Sequence, residues 1–383
     1  MMRTVIVLVC LVAQSGVARA ERRWLRANFH AHAATEHVDD DGTETAAQLH
    51  QAVRAAGFDF SLHTPHCVKD QGATGAQHYL EQRAAESQLK VPGLTIAVGE
   101  ELSVADGPSY SRHTMVLGRP APGNLNHLTI LGNKELLPYR QLTPAQACDR
   151  VHKDGGVCIV NHAGPGPMMW EEGYWEAPAT RGHVDGLEVY NGQALGAIGI
   201  DFEARYREAT AYRGLGLKIA ATTGADTHGP QSVAKTQAKL AGFAGPAKKL
   251  VHMMLPTATS ARPELEVATL VQIDNGPDVT AAVIAAIKAR RTIATNALPK
   301  LTIALDGLGE VRRTRDVHLS LRLSRRLDEV TLYREGTAVQ TWHDTDAIDF
   351  TDTIAAPAAY VFGARDGNGR LLTSAIWYEP PTK

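Results

Sequence analysis

Short apolar segments alternate with helical patterns along much of this 383-residue chain, from Leu25 to about Pro256. Strands that alternate with helices are typical of parallel pairing, and this many units favour a closed α/β barrel. The candidate strands are Leu25–His32, Asp59–Thr64, Leu94–Leu102, His113–Gly118, Gly156–His162, Val184–Asn191, Lys218–Thr223 and Val251–Leu255. Two helices between them have clear boundaries. One starts at Thr143-Pro144 and ends at Gly155, and the other ends at Gly57.

After Ala297 the pattern changes to the apolar–polar alternation of antiparallel strands. Residues 280–291 form the last predicted helix of the barrel, and Asp366–Gly369 predicts a hairpin turn. The further strand candidates are residues 317–324, 329–336, 337–344 and 359–379. We therefore predict a barrel over residues 21–297 and a small C-terminal antiparallel β-sandwich over residues 298–383.

The first twenty residues indicate export. Arg3 precedes an apolar run from Val5 to Ala13, and Ala18-Arg19-Ala20 fits an A-x-A cleavage site. Because the run is too short to span a membrane, residues 1–20 are predicted to be a cleaved signal peptide. The mature protein is then expected in the periplasm or secreted, without membrane contact.

Charge and cysteine content limit the partners of the chain. The net charge of −2 gives no reason to expect nucleic acid, so a small-molecule substrate is expected. Oligomeric state does not follow from the sequence. Of the three cysteines outside the signal peptide, only Cys148 and Cys158 are close in sequence, and a disulfide between them stays open.

Histidines and carboxylates recur where the predicted strands end. These residues are His30, His32, His63, His66, Glu100, Glu101, His113, His162, Glu188, Asn191, Asp226 and His228. Because a barrel builds its site at the carboxyl ends of its strands, these side chains are expected to converge. Ligands of nitrogen and oxygen without cysteine suit zinc, manganese or iron, and Glu101 is the candidate for a carboxylate that bridges two ions.

The order of these motifs resembles the PHP (polymerase and histidinol phosphatase) superfamily. The series runs HxH, an acidic residue before Gly, a histidine after the second strand, GxE, a lone histidine, NH and ADTH. The closing segment TSAIWYE resembles the exported, carbaryl-hydrolase-like branch. The likeness covers residues 25 to about 383.

That resemblance implies a distorted (β/α)7 TIM-like barrel with a di- or trinuclear metal centre. It assigns the first metal to His30, His32, Glu101 and Asp226, the second to Glu101, His113 and His162, and the third to Asp41, His66 and His228. His37 stays an alternative to Asp41. Pro65 stands where the family has an aspartate, and the first loop is longer than usual, so the third site is the one put in doubt.

A metal-dependent hydrolase with a metal-activated hydroxide as nucleophile is the predicted function. The chain has no G-x-S-x-G elbow, no phosphate-binding G-x-x-x-x-G-K-[ST] loop and no catalytic-cysteine signature. Phosphoesterase activity is favoured, with carbamate, amide or ester hydrolysis as the alternative and a non-catalytic metal-containing binding protein as the third possibility. The candidate catalytic residues are Glu101, Asp226 and Arg112, the last to stabilise an anionic transition state.

The loop after His162 is rich in large apolar residues: Met168, Met169, Trp170, Tyr174 and Trp175. These side chains could line an organic substrate, or they could simply cover the barrel. The sequence supports both alternatives equally.

Overall fold

The structure is a computed structural model. It describes residues 22–34, 42–66, 72–105, 115–116, 119–120, 126–162, 175–192, 202–229, 262–298 and 301–381. The predicted signal peptide lies outside these ranges. Among the described helices, none combines the length and the apolar character needed to cross a membrane.

The strands of the N-terminal half are short. They are β1 (Arg22–Asn28), β2 (Phe60–His63), β3 (Thr95–Val98), β4 (Glu100–Ser103), β5 (Met115–Val116), β6 (Arg119–Pro120), β7 (His127–Leu131), β8 (Val157–Val160), β9 (Gly186–Asn191) and β10 (Ala220–Gly224). Those that follow are β11 (Val267–Asp274), β12 (Thr292–Asn296), β13 (Ile303–Leu305), β14 (Val311–Arg312), β15 (Asp316–Arg334), β16 (Thr337–Thr353), β17 (Ala358–Asp366), β18 (Gly369–Thr373) and β19 (Ile376–Tyr378). The described helices are α1 (Ala46–Ala55), α2 (Gly72–Ser87), α3 (Pro144–Lys153), α4 (Pro178–Arg181), α5 (Phe202–Thr210) and α6 (Val279–Lys288).

Two large mixed sheets contain most of these strands. A 12-stranded sheet follows the order β13-β15-β17-β18-β12-β11-β1-β2-β3, with β14, β16 and β19 attached beside this path. A 5-stranded sheet follows the order β10-β9-β8-β7-β4. The pairs β1–β2, β2–β3, β8–β9 and β9–β10 are parallel, whereas β1–β11, β11–β12, β4–β7 and β7–β8 are antiparallel.

The predicted (β/α)7 TIM-like barrel is therefore wrong. Of the described residues, 41% lie in strands and 23% in helices, so most strands have no helix of their own. Antiparallel strands β7, β11 and β12 interrupt the parallel pairing that a barrel requires. Helix α6 connects β11 to β12, which nevertheless pair antiparallel. A helix between two strands thus did not dictate parallel pairing.

The predicted boundaries of α3 are confirmed, and so is the end of α1 before Gly57, whereas the cap of α1 was not predicted. Thr143 caps α3, Pro144 is its first residue, and Gly155 follows its end with φ +90°. Thr45 caps α1, and the hydroxyl accepts the N–H of Gln48 at 3.3 Å. Each cap belongs to a capping box, in which a glutamine side chain bonds back to the cap residue.

The C-terminal strands continue the large sheet. The predicted hairpin is confirmed, since β17 and β18 pair across Asp366 and Gly369. Two separately predicted strands form the single strand β15. Strand β18 pairs with β12, whose residues precede the predicted domain boundary at Ala297. Hydrogen bonding and a hydrophobic core are thus shared across that boundary.

The edges of the two sheets meet near the ends of β1 and β10. A parallel bridge joins Ala31 to Thr227, and the N–H of Asp226 donates to the carbonyl of His30 at 2.8 Å. At the other side, only Gly99 separates β3 from β4, and a Cβ there would lie 2.0 Å from the Ile130 carbonyl oxygen. The chain can change sheets at this point because the residue is glycine.

Candidate metal centre

Six elements bring histidines and carboxylates to one place. Most of these residues come directly after a strand, and one comes from within β4: His30 and His32 follow β1, His66 follows β2, Glu101 lies in β4, His162 follows β8, and Asp226 and His228 follow β10. The sixth element is β7, which contributes its first residue, His127. The paired edges described above hold these ends together.

The first group contains His30, His32, Glu101 and Asp226, with ligand atoms within 4.8 Å of one another. Nε2 of His30 and Nε2 of His32 lie 3.0 and 3.1 Å from the same Glu101 oxygen, Oε2. Both nitrogens lie 3.5 Å from Oδ1 of Asp226. Ligands at about 2.0–2.2 Å from a tetrahedral ion are roughly 3.3–3.6 Å apart, which is within a few tenths of an ångström of these separations, so this group could hold a metal ion.

Glu101 presents its second oxygen to a different set of side chains. Oε1 lies 2.8 Å from Nδ1 of His127 and 3.3 Å from Nε2 of His162. The amide of Asn161 donates to the same oxygen at 3.0 Å. His66 faces Oε2 at 3.3 Å, and the group His66, Glu101 and His127 could hold an ion. One carboxylate therefore belongs to two potential sites.

A third group contains His32, His66 and His228. The His32 ring stacks on both partners, with ring centroids 4.5 Å from His66 and 4.2 Å from His228. Nδ1 of His228 donates to the Asp226 carbonyl at 3.1 Å, so in the neutral ring Nε2 is the nitrogen that carries no proton. Because His32 and His66 also belong to the other groups, the three groups compete for ligands.

Burial and mutual attraction shape the charges here. Burial raises the pKa of Glu101, but the facing rings of His30, His127 and His66 outweigh burial, so this pKa lies well below its ordinary value. Burial likewise raises the pKa of Asp226, and His30, His32 and His228 lower it further than burial raises it. Burial lowers the pKa of His30, but Glu101 and Asp226 raise it well above normal. The cluster thus contains two ionised carboxylates, which can bind a cation once the neighbouring histidines release their protons.

His63 has a different role from the one its position at a strand end indicated. Nδ1 lies 2.6 Å from Oε1 of Glu86, and Nε2 accepts the N–H of Ala33 at 3.3 Å. Glu86 also accepts from Nε2 of His50 at 3.1 Å, while Nδ1 of His50 bonds Ser61 at 2.9 Å. All four side chains are buried. This network ties the end of β1 to β2 and to helices α1 and α2.

Glu100 faces away from the cluster, as expected for the strand neighbour of Glu101. One oxygen accepts the Leu137 N–H at 3.2 Å and lies 3.5 Å from the Asn133 amide. Burial raises the pKa of Glu100 to about 8, partly offset by the Leu137 hydrogen bond. Its contacts are with Leu137 and Asn133 and not with the histidines, so Glu100 belongs to none of the candidate ligand groups.

A pH-dependent stability difference follows for Glu100→Gln. The folded wild type keeps a proton on Glu100 between pH 4.5 and about 8, whereas the unfolded chain has lost it. Wild-type stability should therefore fall with rising pH in this window, by about 1.4 kcal/mol per unit from this group. The glutamine side chain does not titrate. The free energy of unfolding of Glu100→Gln, relative to that of wild type, should therefore rise up to about pH 8 and then stay constant. Urea unfolding of both metal-free proteins at several pH values measures this, and parallel stability curves would contradict it.

Seven of the nine predicted ligands come together: His30, His32, His66, Glu101, His162, Asp226 and His228. The other two, Asp41 and His113, lie outside the described residues, as do the alternative His37 and the catalytic candidate Arg112. In the apolar loop, Trp175 is buried in the hydrophobic core. The other four loop residues lie outside the described ranges. Cys148 and Cys158 are buried free thiols.

His127 is a candidate ligand that was not predicted from the sequence. The predicted ligands lie at the carboxyl ends of strands, but β7 runs antiparallel to β4 and β8. Its first residue therefore lies at the same edge as the last residues of its neighbours, and His127 pairs with Ser103. A histidine opening a short apolar run, HLTIL, was the available signal.

We expect His127→Ala to remove about one equivalent of bound metal, because Oε1 of Glu101 would keep only His162 as a nearby imidazole. The first group does not include His127 and should stay occupied. Metal analysis after dialysis measures the loss. His183→Ala is the control, since His183 also bonds a carboxylate, Asp149 at 2.7 Å, away from the cluster. Equal metal content in both variants would rule out His127 as a ligand.

Comparisons with known proteins add no functional argument. No family model matches the chain, and no curated protein matches it either. A lytic polysaccharide monooxygenase from Jonesia denitrificans is 11% identical over 18% of this chain and 57% of its own, with a TM-score of 0.16. An engineered protein is 13% identical over 88% and 80%, with a TM-score of 0.19. An FMN-binding beta-glucuronidase from Facaelibacterium prausnitzii is 10% identical over 94% and 56%, with a TM-score of 0.20. Because similarities this weak do not establish a shared fold, the interpretation of the site depends on its own geometry.

Proposed function

We propose that this chain is a metal-dependent hydrolase with at least two ions bound around Glu101. The observation that carries the proposal is the position of this carboxylate between two pairs of imidazoles. Its Oε2 faces His30 and His32, and its Oε1 faces His127 and His162. A buried carboxylate between two sets of imidazoles is the arrangement that a two-metal site requires. The motif series resembling the PHP superfamily supports the same proposal.

Metal ions bound at such a site lower the pKa of a coordinated water and polarise the oxygen of an ester or phosphoryl group. The protein supplies the fixed ligand frame. Asn161 accepts the Thr129 N–H at 3.1 Å and donates to Glu101 at 3.0 Å, which fixes the plane of the carboxylate. His30, His32, His66, His127, His162 and His228 supply imidazoles, and Asp226 supplies the second carboxylate.

Phosphate monoesters or diesters are the substrates that we favour. The two sets of imidazoles around Glu101 would hold two ions close together, and such a pair would supply the charge stabilisation that phosphoryl transfer needs. Carbamates, amides and carboxyl esters are the second class, since the same centre also suits addition to a carbonyl. Export of the mature enzyme to the periplasm or beyond is part of this proposal, on the evidence of residues 1–20.

A metal-reconstitution screen tests the proposal. Chelator-treated protein is reloaded with zinc, manganese or iron(II) and assayed on phosphomonoesters, phosphodiesters and aryl carbamates, with Glu101→Gln as the negative control. We expect at least two bound equivalents and turnover that disappears with chelation and returns with metal. Turnover of carbamates alone would change the substrate class. Metal binding without any turnover would favour a binding protein, and failure to bind metal would refute the proposal.

A further inference from the structure

Glu188 is a buried carboxylate outside the three candidate ligand groups. It contacts His30, a member of the first group, and the backbone of His162, whose ring faces Glu101. Its Oε1 lies 3.1 Å from Nδ1 of His30. Its Oε2 accepts the backbone N–H of His162 at 2.6 Å and the Asn191 amide at 3.0 Å. The side chain is 2% exposed, so these contacts are not shared with bulk water.

The contact with His30 determines which ring nitrogen can bind a metal. Because a carboxylate only accepts hydrogen bonds, Nδ1 of His30 must carry the proton. Nε2 faces Glu101 at 3.0 Å and Asp226 at 3.5 Å, and it is the nitrogen that would give up its proton to an ion bound between these carboxylates. A carboxylate behind a metal-binding histidine fixes both its tautomer and its orientation.

Glu188 also holds the backbone of a second candidate ligand. His162 has φ +32°, a conformation that is unfavourable for a residue with a side chain. The short bond from its N–H to Glu188 stabilises that conformation. Asn191 extends the link to a third ligand, since its amide lies 3.1 Å from Oδ2 of Asp226.

The neighbouring sequence leaves space for this carboxylate. A Cβ at Gly224 would lie 1.9 Å from Oε1 of Glu188 and 2.4 Å from Cβ of His30. Only glycine at the end of β10 therefore allows the pair to form.

We propose that Glu188 is a positioning residue of the metal centre, which holds His30 in the tautomer that binds metal and fixes the backbone of His162. This inference rests on the proposed function only in requiring that the centre binds metal. It does not depend on the substrate or on turnover.

Glu188→Gln is the informative substitution. The glutamine side chain has one amide oxygen in place of two carboxylate oxygens. This oxygen accepts the most hydrogen bonds when it takes the Oε2 position, because His162 and Asn191 both donate there. The amide NH2 then points at Nδ1 of His30, which must accept, so the ring proton moves to Nε2. The fold keeps its hydrogen bonds, but the metal-binding nitrogen is blocked. We expect Zn²⁺ affinity to fall about 10–100-fold.

Asp185→Asn is the matched control. Asp185 precedes the same strand, and its Oδ2 accepts from Nε2 of His152 at 2.8 Å and from the Cys158 N–H at 2.9 Å. It thus combines an imidazole and a backbone donor, as Glu188 does, without contacting a candidate ligand. Zn²⁺ competition against a chromophoric chelator should show wild-type affinity for this variant, and circular dichroism checks that both variants fold. Wild-type Zn²⁺ affinity in folded Glu188→Gln would overturn the proposal, and a wild type that binds none of Zn²⁺, Mn²⁺ and Fe²⁺ would refute the proposed function itself.

A measurement on wild type keeps the proposal testable if Glu188→Gln does not fold. In Zn²⁺-loaded protein labelled with ¹⁵N-histidine, the ring signals of His30 are assigned by their loss in His30→Gln. We expect a proton on Nδ1 and the metal on Nε2. Metal on Nδ1, or a proton on Nε2, would overturn the assignment of Glu188.

Discussion

Glu101→Gln should lower bound metal by about one equivalent or more and reduce hydrolysis to the background rate. Glutamine offers one oxygen in place of two, and its NH2 group would face either His30 and His32 or His127 and His162. In either orientation one of the two potential sites around this side chain would lose its carboxylate oxygen. Metal analysis and the reconstitution screen measure the two effects on the same preparation.

Glu100→Gln is the matched control for that result. The two glutamates are adjacent in β4, and both are 1% exposed, but their side chains lie on opposite faces. Glu100 bonds Leu137, whereas Glu101 contacts the imidazoles. Normal metal content in Glu101→Gln together with loss of metal in Glu100→Gln would show that the bridging role was given to the wrong glutamate.

Much of the candidate site could be predicted because its ligands follow a local rule. Residues two apart in an extended segment point to the same side, which brings His30 and His32 together. Parallel strands end at the same edge, so β1, β8 and β10 present their histidines and Asp226 to one another. His127 was missed because its strand runs in the opposite direction, and strand direction depends on pairing with distant residues.

The fold was harder to predict than the site. Strands β11 and β12 were not predicted, although β11 pairs with β1 along six residues, from Arg22 to Ala27. The paired residues are nearly 250 positions apart in the sequence, so the local hydrophobic pattern of neither strand indicates its partner. The strand–helix alternation was real locally, as α1 and α3 show. The alternation did not determine the order of strands in the sheets, because a helix can also connect two antiparallel strands, as α6 connects β11 and β12.

A chain that ends at Ala297 should fail to fold cooperatively. It would lose β18, which pairs with β12 from Ile293 to Asn296, and with it one side of the large sheet. It would also lose Trp377, which is fully buried in a core shared with β8 and β9 and donates its indole N–H to the Thr210 carbonyl at 3.2 Å. Deleting one such side chain costs about 3–5 kcal/mol, and a domain has only about 5–15 kcal/mol in total.

Urea unfolding followed by circular dichroism tests this prediction, with a chain that ends at Pro381 as the control. The control lacks only the two residues that follow the last described position and should match wild type. Trp377→Ala should lie between the two, with cooperative unfolding at a lower urea midpoint. If the chain ending at Ala297 unfolded cooperatively and bound Zn²⁺ with wild-type affinity, residues 298–383 would be an independent domain despite the shared sheet. Loss of folding would instead mean that the metal centre depends on the C-terminal strands, although these strands supply none of the candidate ligands. The dependence would pass through the large sheet, because β12 and β11 connect β18 to β1, and β1 leads into His30.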